Sequence, residues 1–354
     1  MLPALATARA LVARGHPAAG VHFVGSSRGM EAAMVPAAGF AITLLPGRGV
    51  ARRFTLDNVG AVAGLVQAMG RALVLMARRR PAVVLSVGGY ASVPCAAAAV
   101  ALRVPLVLHE QNAVPGLANR LAGRFARAAA VSFPGTALPR AVVTGNPVRD
   151  EVLAVDASPA GRAAARAELG LPAGAVVIAV AGGSLGARRI NEAVFGLVEA
   201  WSMRAGVAVR HAVGARDWPA VVARLPRPPA GGLVYQAVEY EDRMALLLAA
   251  ADVVVSRSGG SVAELEAVGR ASVLVPLPGA PGDHQTANAR ALVDAGAAVL
   301  VPDAELTPER LATEIDSLLA DPARLVAMGE AARRLARPDA AERVADLVER
   351  HARR

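Results

Sequence analysis

The sequence contains no lysine: all 38 basic residues are arginine, and against 29 acidic residues they leave a formal charge of +9. That absence reads as a codon bias toward GC-rich triplets, a matter of composition rather than of function. The positive balance itself implies an acidic partner, whether nucleic acid, anionic lipid or a phosphorylated substrate. Cysteine is nearly absent too. Cys95 stands alone, which excludes an internal disulfide framework, and no C-x-x-C or clustered His/Cys spacing offers zinc a site, so a reducing compartment fits. Aromatics are 3% of a chain that is 54% hydrophobic, so the cores must be built from Ala, Val and Leu, a packing that suits interleaved strands and helices. The start, Met1 to Arg9, has no basic region ahead of a long apolar one; no secretory signal is expected, and the cytoplasm is the default. The longest uncharged run, Pro81 to Leu102, reaches membrane-spanning length. Gly88, Gly89, Ser92 and Pro94 interrupt it, so it reads as strand, loop and helix.

What is present is a βα rhythm long enough for about two domains. Apolar runs of strand length at Val21 to Val24, Ala82 to Val87, Pro105 to Leu108, Ala128 to Phe133 and Ala141 to Thr144 alternate with amphipathic helical stretches. The pattern resumes at Ala175 to Ala181, Val207 to Val213, Leu233 to Val238, Ala251 to Val255 and Ser272 to Pro276. Two doubly wound halves follow, hinged near residues 147–160, with an almost purely helical tail after Thr307. Such halves usually open with a strand and a glycine loop, yet this chain begins directly on the helix Leu2 to Arg14. The first strand and loop are therefore expected to be missing from it.

The polar motifs gather at strand ends. After the apolar run Ala175 to Ala181 comes Gly182-Gly183-Ser184-Leu185-Gly186, then a helix: glycines let the backbone approach a ligand, and the free N–H groups of a helix start favour an anion. A plain tight βα turn is the alternative. Ser256-Arg257-Ser258-Gly259-Gly260-Ser261 repeats the arrangement, with Glu264 in the first helical turn, where a carboxylate caps N–H groups or accepts from ribose hydroxyls. Gly282-Asp283-His284-Gln285 carries a side-chain amide suited to sugar hydroxyls or simply opens a helix. His109-Glu110-Gln111-Asn112 follows the strand Pro105 to Leu108, either as a functional cluster or as a capped turn. Arg149, in Gly145-Asn146-Pro147-Val148-Arg149, is a guanidinium at the hinge that could reach a diphosphate, or a surface arginine.

Taken in order, these strings resemble the MurG family of glycosyltransferases, together with Phe23-Val24-Gly25, Gly88-Gly89-Tyr90, Pro115-Gly116-Leu117-Ala118-Asn119 and His284 to Ala289. The resemblance spans nearly the whole chain. It implies an α/β GT-B fold of two doubly wound Rossmann-like domains facing a central cleft. Residues 1–147 would form an acceptor and membrane-facing domain, 148–335 a UDP-sugar donor domain, and 336–354 a C-terminal helix at the junction. It further implies inverting transfer of N-acetylglucosamine from UDP-N-acetylglucosamine to undecaprenyl-diphosphate-linked N-acetylmuramoyl pentapeptide. No metal, no cofactor and no nucleic acid are implied.

Carried over by motif, Asn112, Arg149, Gly183, Ser184, Glu241, Ser261, Glu264 and Gln285 would bind the donor, with Glu264 on the ribose and the backbone near Glu241 on the uracil. Gly88, Gly89, Tyr90, Glu110, Gln111 and Asn119 would face the acceptor. The catalytic base stays unassigned, the natural candidate being a histidine in the missing loop and His109 a weak substitute. A lipid-linked acceptor calls for a bilayer-facing surface, and Arg52, Arg53, Arg71, Arg78 and Arg79, interleaved with apolar residues, offer one to an anionic membrane; a solvated helix face is the alternative. The implied location is the cytoplasmic face of the cell membrane, peripherally bound. Two competing readings remain: a UDP-sugar-binding protein without turnover, and a GT-B transferase with a soluble acceptor.

Overall fold

The computed structural model describes residues 1–26, 29–46, 57–89, 91–183 and 186–353, with residues 57–63 described by their backbone. The chain divides into two compact units, residues 1–149 with 337–354, and residues 150–336. In the first unit β1 (His22–Ser26) and β2 (Ala41–Leu45) pair in parallel. A second parallel sheet runs β3 (Val84–Ser86), β4 (Leu106–Glu110), β5 (Ala128–Val131) and β6 (Ala141–Val143), in that order. Parallel neighbours need crossover connections. The helices Glu31–Ala37, Ser92–Ala101 and Leu117–Ala122 provide three of them, and residues 132–140 join β5 to β6 without a helix.

Side-chain alternation assigns each face of that second sheet. Leu106, Leu108, Ala129 and Val131 pack with Ala96, Ala126 and Leu138, while Val107, Ala128 and Ala130 pack with Val344 and Leu347. The latter two come from the last helix, Ala340–His351, so the end of the chain belongs to the first unit. The same helix meets the first, Leu2–Ala13, across the Arg14 guanidinium, whose Nε lies 2.7 Å from Glu342 and Nη1 2.9 Å from Glu349. These exposed pairs add little stability; the apolar face does the docking.

In the second unit β7 (Val176–Ala181), β8 (Val207–Ala212), β9 (Val234–Val238), β10 (Val253–Ser256), β11 (Ala271–Leu274) and β12 (Ala298–Leu300) form one parallel sheet ordered β12-β11-β10-β7-β8-β9. Ile178 and Val180 of β7, Val253 and Val255 of β10 and Val273 of β11 share a buried cluster with Ile190, Val194 and Leu197 of the helix Arg188–Ala200 and with Leu311 and Ile315. The chain winds outward from β7 in one direction and from β10 in the other, so the strand order reverses between these two. In an open parallel sheet, a crevice forms at the carboxyl ends beside such a reversal.

Every apolar run expected as a strand overlaps one, and two strands fall outside the expected runs. β2 and β12 are edge strands of five and three residues and are partly exposed. The fourth strand also runs two residues further than expected. His109 and Glu110 are its last members, paired with Ala130 and Val131, rather than the start of a loop.

Candidate functional site

In the second unit, Ser256 of β10 pairs with Ala181 of β7, so the two glycine-rich segments leave the sheet side by side at the reversal. Gly183 and Gly186 adopt positive φ (+101° and +86°), and the Gly186 N–H closes a turn onto the Gly183 carbonyl at 2.9 Å. A side chain at Gly186 would collide with the Val213 carbonyl, and one at Gly182 with Ala187. Only glycine fits at either place. The helix Arg188–Ala200 begins at Ala187 with no side-chain cap, so its first N–H groups and dipole point into the same space. Ser184 lies outside the described residues.

The second segment is built around a buried arginine. Arg257 donates from Nη1 to the carbonyls of Val275 and Pro276 and to Asp303 at 2.7 Å, which fixes the loop before the helix Val262–Val268. Asp303 also lies 3.4 Å from Arg189, at the start of the first loop's helix. The Ser258 hydroxyl donates to the Gln285 carbonyl at 2.8 Å, Asn288 donates to the Ser258 carbonyl, and the Leu277 N–H donates to Gln285 Oε1. Gln285 is thereby held with its Nε2 toward Gly259. Ser261 is exposed, and Glu264 stands half-buried in the first turn of its helix. Glu241 is buried, with Oε2 taking Arg210 Nε at 2.5 Å and Oε1 the Arg243 N–H, so only its main chain remains for a ligand.

In the first unit the end of β4 organises its own loop. The buried Glu110 carboxylate accepts four donors: the Asn112 N–H and Nδ2, both at 3.1 Å, the Gly116 N–H at 3.0 Å and Asn119 Nδ2 at 2.9 Å. The Glu110 carboxylate and Asn119 Nδ2 are therefore spent in shaping the loop, while Asn119 Oδ1 is buried with no hydrogen-bond partner among the described residues and Gln111 and Asn112 are partly exposed. His109 is 1% exposed. Gln111 Nε2 donates to its Nδ1 at 2.7 Å, so the ring proton sits on Nε2 and points to the Gly145 carbonyl at 3.3 Å. Burial pushes its pKa down to about 4. A ring so enclosed has no lone pair to offer a substrate hydroxyl.

Gly145, at φ +89°, is pressed against Arg337 and Ala340 at the start of the last helix, and the partly exposed Arg149 follows four residues on. Gly88 and Gly89 turn with φ +81° and +87° after β3, and the Ser92 hydroxyl donates to the Gly89 carbonyl. Tyr90, Arg52 and Arg53 lie outside the described residues. Among the described residues no group of three or more His, Cys, Asp and Glu side chains is arranged to hold a metal ion.

The helix Asp57–Arg79 turns Ala68, Ala72 and Met76 inward and leaves Val66, Val74, Arg71, Arg78 and Arg79 exposed. A second apolar stripe, unforeseen from the sequence, is carried by Leu117, Leu121 and Phe125, exposed by 64%, 54% and 63%, with Arg120 and Arg124 exposed beside them. Its i, i+4, i+8 spacing is legible in the sequence, but the same spacing normally marks a core face. The helix Ser92–Ala101 packs against both stripe-bearing helices. Among the described residues no helix is long and apolar enough to cross a membrane.

Residues 1–131 match the glycosyltransferase family 28 N-terminal domain and residues 177–344 the family 28 C-terminal domain. The chain is 40% identical over 358 residues to the UDP-N-acetylglucosamine--N-acetylmuramyl-(pentapeptide) pyrophosphoryl-undecaprenol N-acetylglucosamine transferase of Desulforudis audaxviator, covering 98% of this chain and 94% of that one. The enzyme of the same name from Alkalilimnicola ehrlichii is 43% identical over 355 residues, covering 100% and 96%. Among solved structures, Acinetobacter baumannii MurG superposes with a TM-score of 0.75 at 30% identity, over 98% of this chain and 95% of the other.

Proposed function

The chain belongs to glycosyltransferase family 28, and from that premise we infer that it transfers N-acetylglucosamine from UDP-N-acetylglucosamine to undecaprenyl-diphosphate-linked N-acetylmuramoyl pentapeptide, converting lipid I to lipid II. The observation that carries this reading is the identity of 40 to 43% over nearly the full length of relatives bearing that activity in their names. The fold is GT-B, two parallel-sheet domains of Rossmann type.

In the transfer, the acceptor's 4-hydroxyl oxygen bonds to the anomeric carbon as the bond from that carbon to the diphosphate oxygen breaks. Configuration inverts from α to β, and UDP departs with the electron pair. Support for the donor side comes from the second unit: Gly183 and the uncapped helix start meet the diphosphate, where one well-placed donor is worth about 3 kcal/mol in the transition state. Glu264 takes the ribose hydroxyls, Gln285 and Ser261 the sugar nucleotide, and the main chain at Glu241 the uracil. From the first unit Asn112 and Arg149 serve the sugar and diphosphate. Gly88, Gly89 and Gln111 serve the acceptor, and Glu110 and Asn119 act there by holding the loop. The base that receives the hydroxyl proton is left unassigned, His109 being enclosed.

Calorimetry with UDP is the direct test of the donor site, and a flat titration would sink it. Glu264→Ala is expected to raise the UDP Kd about tenfold, since hydrogen bonds to a carboxylate contribute roughly 1.5–3 kcal/mol. A Kd unchanged in that variant would remove Glu264 from the ribose.

The lipid-linked acceptor places the work at a bilayer, on the cytoplasmic face where the sugar nucleotide is. The exposed stripe Leu117, Leu121, Phe125 with Arg120 and Arg124, and the exposed Val66, Arg71, Val74 and Arg78, support peripheral attachment to an anionic surface. Each basic residue near such a leaflet contributes about 1 kcal/mol. Leu121→Asp combined with Phe125→Asp is expected to reduce cosedimentation with phosphatidylglycerol vesicles about tenfold or more while UDP binding is retained. Equal cosedimentation of the variant would exclude this face.

A further inference from the structure

Beneath the Gly182–Gly186 turn lies a buried polar chain that the transfer chemistry does not use. His211 is the fifth residue of β8 and Tyr235 the second of β9. Register pairs Tyr235 with Val209 and Ala237 with His211, so the two rings are diagonal neighbours on one face of the sheet, 6.2 Å apart. Phe195 of the helix Arg188–Ala200 closes the other side of the imidazole at 5.6 Å. His211 has no solvent exposure, and its pKa falls to about 3 by burial, so the ring is neutral.

Neutrality fixes every proton in the chain. Asn191, on the helix that follows the glycine turn, donates from Nδ2 to the Val213 carbonyl and to Asp217 Oδ2, both at 3.0 Å. Both partners are acceptors, so the other side of its amide is Oδ1, which lies 2.9 Å from His211 Nε2. The imidazole must donate there, and its Nδ1 must accept. Tyr235, 3.0 Å from Nδ1 and held protonated by burial, is the donor. The chain runs Tyr235 O–H to His211, His211 to Asn191, and Asn191 to Asp217 and Val213.

It ends on the loop. The Val213 carbonyl that accepts from Asn191 is the atom against which Gly186 is pressed. Asp217 in turn accepts from Arg216 Nε at 3.0 Å, and Arg216 Nη2 reaches the Gly186 carbonyl at 3.4 Å. Gly186 and the helix start behind it are thus gripped from the β8 side by side chains that lie below any ligand.

We propose that Tyr235, His211 and Asn191 form a positioning relay that sets Gly186 and the start of the helix Arg188–Ala200 at the separation a nucleoside diphosphate requires. The proposal rests on the reading of the Gly182–Gly186 turn as the diphosphate cradle. None of the three touches the nucleotide; they act through Val213, Asp217 and Gly186. Removing the ring's donor leaves Asn191 Oδ1 buried and unpaired, and the amide then rotates or shifts to find a partner, disturbing the Val213 carbonyl and Asp217 that hold Gly186.

The experiment compares UDP affinity by calorimetry, and KM and kcat for UDP-N-acetylglucosamine, in the full chain and in His211→Leu, His211→Gln and Tyr235→Phe. His211→Leu is expected to raise both the UDP Kd and the KM about tenfold, the equivalent of one lost hydrogen bond of about 1.4 kcal/mol, with kcat changed less than about threefold. His211→Gln, whose Nε2 presents an N–H near the position of the ring's, restores most of the affinity. Tyr235→Phe, which keeps the ring packing, raises Kd by about threefold, within the range for a neutral hydrogen bond. Unchanged UDP affinity in a folded His211→Leu chain overturns the relay and leaves the network a matter of stability. If that variant does not fold, Tyr235→Phe decides in the same way. A wild-type chain that fails to bind UDP overturns the nucleotide reading itself, and the relay with it, whereas binding by the wild type with no change in the variants overturns the relay alone.

Discussion

Glu110→Gln is expected to lower kcat/KM for transfer to the lipid-linked acceptor by at least about a hundredfold while changing UDP affinity less than about twofold. The wild-type carboxylate accepts four N–H donors at one buried point, two on each oxygen. Glutamine keeps one acceptor oxygen and turns an NH2 group toward two of those donors. Each buried donor left unpaired costs about 1–3 kcal/mol, so the loop is destabilised by roughly 2–6 kcal/mol in its present shape. Asn112, proposed to meet the donor sugar, receives both its backbone and side-chain anchoring from this carboxylate. The nucleotide itself is proposed to be held by Glu264, Gln285 and the glycine turns of the other unit, which do not depend on Glu110. Transfer measured with a lipid I analogue, beside UDP calorimetry, separates the two effects. Retention of activity within threefold would show that the loop keeps its geometry without the charge.

Mild acid is expected to destabilise both units. His109 and His211 are buried in neutral form, with pKa values lowered to about 4 and about 3 by desolvation, and each unit contains one of them. The unfolded chain binds these protons near pH 6.5, so the folded state binds fewer protons below that value and stability falls as pH falls. The contribution is complete above about pH 6.5 and is lost progressively down to about pH 4 for His109 and pH 3 for His211. At pH 5 the loss is about 2 kcal/mol per histidine, a large share of a typical domain's roughly 5–15 kcal/mol. Both tryptophans, Trp201 and Trp218, lie in the second unit, so fluorescence-monitored urea unfolding follows His211. Its midpoint should drop between pH 7 and pH 5. In His211→Gln the drop should shrink by about one proton's worth of pH dependence. A midpoint equal at the two pH values in the wild type would contradict a neutral, buried ring.

Much of the fold was legible because its signals are local. Runs such as Val176 to Ala181 and Val253 to Val255 are buried on both faces and so are continuously apolar, and glycines at Gly183 and Gly186 announce backbone that other residues resist. Two short strands were not legible in this way: β2 is partly exposed and interrupted by Thr43, and β12 is three residues of an apolar run that closely follows a helix. The stripe Leu117, Leu121, Phe125 shows the converse difficulty. Spacing told that one face of the helix is apolar, and only the packing of its neighbours told that this face is uncovered.

The sequence by itself determined the two-part βα architecture, the glycine turns at the ends of β7 and β10, and the family, because backbone conformation and strand periodicity are written residue by residue. The tertiary structure decided which polar side chains are available to a ligand. Glu110, His109, Glu241 and His211 are ionisable or chemically versatile residues in the sequence, yet each is buried and has its hydrogen-bonding capacity engaged by neighbours on other elements. The same holds for the last helix, whose apolar face fits either unit on paper and is assigned to the first by Val107, Ala128 and Ala130. A side chain's partners are set by which strands lie next to each other, and desolvation by what covers them; neither is a property of the chain taken one residue at a time.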